Sequence, residues 1–186
     1  MKALLPASAS ILATALLALG LFATPAFADD DDDDDGDSWA RFMLGLDLDY
    51  AYAIEDQQIT SGAGGALRIG SELDLILITL IPEAYISHHA WSEADASITT
   101  GKLGGRVRIG KILEPGLYGH FGIASASPGV GSSYTSPAFD LGFTLDLTFI
   151  PFIDIGAHAA YNAVFETSDR DARHYALFGL HAALVL

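Results

Sequence analysis

The sequence predicts an all-β fold, eight antiparallel strands closed up-and-down into a transmembrane barrel. Three observations predict it. From residue 39 onward apolar residues recur with period 2 rather than 3.6. Eight alternating segments are joined by connections that are long and short in strict turn. The face opposite the apolar one is rich in glycine and alanine with scattered charges, which suits a cramped lumen better than a water-facing coat.

In 39–52, Ala40, Phe42, Leu44, Leu46, Leu48, Tyr50 and Tyr52 alternate with Trp39, Arg41, Met43, Gly45, Asp47, Asp49 and Ala51. A helix would scatter the aspartates among the leucines, whereas a strand keeps them on one side. Segments 61–71, 99–111, 117–126, 138–148, 152–164 and 174–186 repeat the pattern, with Leu67, Val107, Phe121, Phe143, Ile155 and Leu180 opposing Arg68, Arg106, His120, Asp140, His158 and His181. The segment 75–90 is apolar on both faces at its start, and its Pro82, lacking a donor, points to a bulge or a position near a turn. Connections 53–60, 91–98, 127–137 and 165–173 are long and polar, while 72–74, 112–116 and 149–151 are short. Gly64-Gly65-Ala66-Leu67-Arg68-Ile69-Gly70 is echoed by Gly104-Gly105-Arg106-Val107-Arg108-Ile109-Gly110, as a repeated hairpin unit would be.

Composition narrows the function. The 186 residues hold 24 acids against 9 bases, a net charge of −15 that argues against a nucleic-acid partner. The absence of cysteine excludes disulfides, thiol catalysis, iron–sulfur clusters and cysteine-based zinc sites. Beyond residue 28 no apolar run approaches the roughly 20 residues that a spanning helix needs. Residues 1–28 read as a secretory signal peptide: Lys2 supplies the positive start, Ile11 to Phe22 the apolar stretch, and Ala26-Phe27-Ala28 the cleavage site. Pro6 and Pro25 bracket the apolar run and disfavour a retained helix. Residues 29–38 then form an acidic disordered tail, whose seven adjacent aspartates repel one another and lack the interleaved turns and carbonyls of a calcium loop. The barrel itself occupies 39–186.

A soluble barrel would turn its apolar face inward around a ligand. Aromatic placement favours the opposite polarity. Tyr50, Tyr52, Trp91, Phe139, Tyr161, Phe165 and Tyr175 fall near the long-connection end, and Trp39, Phe42, Phe149 and Phe152 near the short one. Two aromatic belts with aliphatic residues between them match the two interfaces of a bilayer.

On this architecture, and on the closing run Phe178, Leu180, Ala182, Leu184, Leu186, the chain resembles the small eight-stranded outer-membrane β-barrels of Gram-negative bacteria, the OmpA/OmpX type. That class commonly ends in Phe, where this chain has Leu186. The resemblance implies the cell outer membrane as location, outer-membrane lipid as surroundings and recognition of the C-terminal strand by the barrel assembly machinery. It also implies a monomer with the short turns in the periplasm and the long loops outside.

Strand parity places Arg41, Asp47, Asp49, Arg68, Glu83, Lys102, Arg106, Arg108, Asp140, Asp146 and Asp154 in the lumen as a charge network, with His89, His120, His158 and His181 on the same face. Charges buried in a narrow tube must pair, and the arginines are the expected hubs because a guanidinium can fork onto two carboxylates. Catalysis and metal binding find no candidate. The closest approach is Ser87-His88-His89 with Ser92 and Glu93, but adjacent strand residues face opposite ways, so Ser87 and His88 cannot meet as nucleophile and base without a bulge, and His88 and His89 chelate poorly. The expected role is therefore structural or surface-interactive, without cofactor and with any partner met at the loops. The alternative is a narrow pore for ions or small solutes, with the same charges as selectivity elements.

Overall fold

The computed structural model describes residues 40–54, 61–168 and 171–186. The segments read as secretory signal and acidic tail, and Trp39, lie outside the described residues. Eight strands follow in order: β1 (Ala40–Ala53), β2 (Ser61–Leu75), β3 (Ile78–Trp91), β4 (Ala96–Ile109), β5 (Leu113–Ser127), β6 (Tyr134–Ile150), β7 (Ile153–Val164) and β8 (Arg173–Val185). Each pairs antiparallel with its sequence neighbours, and β1 pairs with β8 to close the cylinder. The seam is fastened at its end by Phe42 N donating to Leu186 O at 2.7 Å and Leu186 N donating to Phe42 O at 2.8 Å. Closure leaves no unpaired sheet edge, the condition for strands to cross hydrocarbon.

At the loop end several strands extend beyond the predicted segments, and the connections there shrink accordingly. The connection expected at 91–98 reduces to a single 3-10 turn, Ser92–Ala94, and Asp95. The one expected at 127–137 reduces to 128–133. At the opposite end the β2–β3 and β6–β7 turns hold two residues each, Ile76-Leu77 and Pro151-Phe152. Ile76 and Phe152 take φ of 61° and 65°, the left-handed conformation that lets so short a link reverse the chain. Pro82 produces no bulge. The β2–β3 ladder is interrupted opposite it, at Ser71 and Glu72, yet the register is the same on both sides. The one register shift in the sheet lies between Leu147 and Ile150, beside the β6–β7 turn.

Side-chain polarity is inside-out. Leu46, Leu48, Phe121, Leu141 and Leu180 are 61–76% exposed on the outer wall, while Arg68 and Asp146 are 1% exposed within. A soluble barrel with leucines in its core is thereby excluded. Tyr50, Tyr52, Tyr161 and Phe165 stand exposed near the loop end, and Phe149 and Phe152 near the turn end. Trp91 and Tyr175 do not join the outer belt. They share the parity of His89 and Leu177, point inward and are buried.

Candidate functional site: the lumen

Alternation puts one residue in two of every strand inside, and the close-set walls leave space only where some of those residues are small. Gly45, on β1, faces Arg68 across the pair, where a Cβ would lie 3.0 Å from the guanidinium carbon. Gly142, on β6, faces Tyr118, where a Cβ would lie 2.6 Å from the phenol oxygen. The glycines of the lumen face are thus the counterpart of its large polar chains, which lie across them.

Glu83, fully buried on β3, is the centre of the network. It accepts from Arg68 Nη1 of β2 at 3.3 Å, from Arg106 Nη2 of β4 at 3.4 Å and from His120 Nε2 of β5 at 3.0 Å. Arg68 also donates through Nε to Asp47 of β1 at 2.8 Å. His120 turns its other nitrogen to Asp140 of β6 at 2.7 Å, and Lys102 of β4 reaches the same carboxylate at 2.6 Å and Asn162 of β7 at 2.9 Å. The two ring nitrogens of His120 thus bridge the carboxylates of Glu83 and Asp140. Aromatic rings line this level: Tyr85 stacks on His120 with centroids 5.4 Å apart, and Arg106 sits 5.2 Å over the Tyr118 ring.

Toward the loop end, Asp49 accepts from His89 Nε2 and His158 Nε2, each at 2.8 Å. His158 and His181 meet through their Nδ1 atoms at 3.2 Å, and His181 Nε2 donates to Asp146 at 2.6 Å. Toward the turn end, Arg108 gathers four carboxylates. Its Nη1 donates to Asp154 at 2.6 Å and approaches Asp146 at 3.8 Å, its Nη2 donates to Glu72, and its Nε lies 3.2 Å from Glu114. Apolar clusters flank the charges. Ala51, Trp91, Ile98, Tyr175 and Leu177 belong to the one in the loop-end half, and Met43, Ile81, Ala183 and Val185 form the one near the turns.

Parity therefore locates Asp47, Asp49, Arg68, Glu83, Lys102, Arg106, Arg108, Asp140, Asp146, Asp154 and the four histidines on the buried inner face. Arg41 departs from that placement. As the second residue of β1 it lies at the mouth of the barrel, 44% exposed, and donates to Glu72 at 3.0 Å and Asp74 at 2.8 Å. Glu72 and Glu114 belong to the network without having been predicted, because they fall in segments read as turns. Continuing the parity of Arg68 to Glu72, or extending the Leu113, Pro115, Leu117 alternation around Glu114, would have found them. On β3, Ser87 lies inside and bonds Thr100 at 2.8 Å, while His88 lies outside and bonds Thr99 at 2.8 Å. The two side chains stand on opposite sides of the wall.

No protein-family model and no curated protein matches the chain. Solved structures do. Neisserial surface protein A superposes with a TM-score of 0.62 at 15% identity, over 79% of this chain and 99% of that one. Ail, the attachment invasion locus protein of Yersinia pestis, superposes with a TM-score of 0.51 at 16% identity, over 79% of this chain and 97% of that one. At such identities the likeness is one of fold. Strand number, closure, connectivity and the reversed polarity of the wall agree on what that fold is: the chain has the fold of the small eight-stranded outer-membrane β-barrels.

Proposed function

We propose that the protein is a monomeric integral outer-membrane barrel whose lumen is sealed by its own ion pairs, with a structural or surface-interaction role rather than a catalytic one. The observation that carries this reading is the grip on Glu83, which ties β2, β3, β4 and β5 together across the space that a pore would need. Apolar side chains above and below the charges complete the seal. The opposite placement of Ser87 and His88 speaks against a serine–histidine hydrolase at that locus. The outward row Phe178, Leu180, Leu184 and Leu186 on and just beyond β8 is the feature for the assembly machinery to engage, and the loop end is the surface left for partners.

The pore reading keeps one specific support, the hydrogen-bonded run Asp49, His158, His181, Asp146 along the lumen axis, which has the form of a proton relay. Planar-bilayer recording separates the two. A sealed barrel gives no steady conductance above the bare bilayer. Steady wild-type current that Asp146→Asn alters would replace the seal with a conducting lumen.

A further inference from the structure

At the loop end the lumen stops being ionic and becomes aromatic. A cavity of about 630 Å³ lies there, lined by the last residues of β1, β3 and β5, the first residues of β4 and β8, and residues 166–168 and 171–172 between β7 and β8. That volume is in the range of sites that hold small molecules. Its floor is apolar: Trp91 and Tyr175 meet edge-to-face at 5.6 Å and 83°, beside buried Ile98 and Ala126. Its rim is charged in both senses, with the exposed carboxylates Glu166 and Asp171 and the half-buried guanidinium of Arg173.

One polar group in the floor points to a ligand. Trp91 is 4% exposed, and its indole Nε1–H has no hydrogen-bond partner among the described residues. Beneath it His89, whose ring centroid is 6.0 Å from that of Tyr175, likewise has a buried Nδ1 without a partner among the described residues. A buried donor left without an acceptor costs on the order of 1–3 kcal/mol, so the floor favours an occupant that brings oxygen atoms as well as apolar surface.

We infer that this vestibule binds small zwitterions with an apolar or aromatic body, the chemistry of an α-amino acid with a large hydrophobic side chain. The ammonium group meets Glu166 and Asp171, the carboxylate meets Arg173 or the indole N–H, and the body packs on Trp91 and Tyr175. Neither a purely anionic nor a purely cationic ligand uses both signs of charge that these described residues present. The site does not depend on whether the lumen below conducts.

The chain holds two tryptophans, so in a Trp39→Phe background Trp91 becomes the sole fluorophore of its kind. The folded barrel in detergent micelles is titrated with L-phenylalanine, with phenethylamine and with 3-phenylpropionate, three probes of one body and different charge. The expected result is a saturable change of Trp91 emission, with L-phenylalanine bound roughly tenfold more tightly than either analogue, the effect of one charge-assisted hydrogen bond. Arg173→Gln should lower the affinity for L-phenylalanine to that for the amine, and Glu166→Gln with Asp171→Asn should lower it to that for the acid. No saturable change with any probe overturns the site. Equal affinities for all three, unmoved by the rim variants, overturn it as well, since that is apolar partitioning alone.

Discussion

A guanidinium inside this barrel cannot be removed without stranding the carboxylate it serves. Arg106→Ala leaves Glu83 with Arg68 and His120 only, and takes from Asp146 a cation 3.7 Å away. Breaking a buried pair costs about 3–5 kcal/mol, so the urea midpoint of the micelle-embedded barrel should fall, and adding Glu83→Gln should restore part of the loss. Arg41→Ala is the contrast. Arg41 and Asp74 are each 44% exposed at the mouth, and buried Glu72 keeps Arg108 when Arg41 is lost, so the loss is that of an exposed pair, about 0–1 kcal/mol, and the midpoint should hardly move. Equal shifts for the two arginines would contradict the division between lumen and rim. The sequence makes this division half legible. Parity separates inward from outward for every buried charge named above, but it carries no depth, so Arg41 reads like Arg68. Glu72 and Glu114 pass for turn residues because Ser71 interrupts the alternation beside the first and Pro115 reads as a turn signal beside the second. Trp91 and Tyr175 are mistaken for belt residues for a related reason: an aromatic near a strand end fits either a membrane interface or a lumen cap, and only the parity of His89 or Leu177 tells them apart.

At the scale of the strand, the outer face sets a sharp requirement. Leu46 on β1 and Phe143 on β6 are 64% and 48% exposed on the wall, midway between the aromatic belts. Leu46→Lys or Phe143→Lys places a cation near mid-bilayer at a cost of about 2–4 kcal/mol. Each should reduce the folded fraction recovered in lipid vesicles, while Leu46→Ile should not. Undiminished folding of both lysine variants would mean that this face does not meet hydrocarbon. Strand existence is legible in the sequence because one face meets lipid and the other a polar lumen. Strand ends are not. Past the hydrocarbon both faces of the wall meet polar surroundings, so Ser97, Thr99, Ser125 and Thr135 break the alternation although the backbone ladder continues through them. About half of each of the expected 91–98 and 127–137 loops is sheet for that reason. Pro82 misleads in the other direction, since losing one donor opens the β2–β3 ladder locally without displacing its register.

For the molecule as a whole, closure by β1 and β8 makes the unfolding of any one strand an exposure of backbone groups to lipid. The folded protein should therefore resist SDS until heated, and unboiled and boiled samples should migrate differently on gels. Identical migration would contradict a closed cylinder. The same closure explains why fold likeness survives at 15% identity: the architecture asks only for alternation, small residues opposite large ones and paired lumen charges, and many sequences meet those terms. The length of the strands has a further effect. At about 3.3 Å per residue and a tilt of about 40°, the 17 residues of β6 rise roughly 43 Å, against an apolar band about 25 Å tall. The outer residues beyond the band are the polar ones at the loop end, so β3 to β6 carry their sheet above the headgroups, with only 92–95 and 128–133 as links among them. An antibody raised against synthetic peptides of 92–95 or 128–133 would meet short, strand-tethered links and bind intact cells poorly, whereas one raised against the assembled barrel would recognise a conformational epitope spread over several strands.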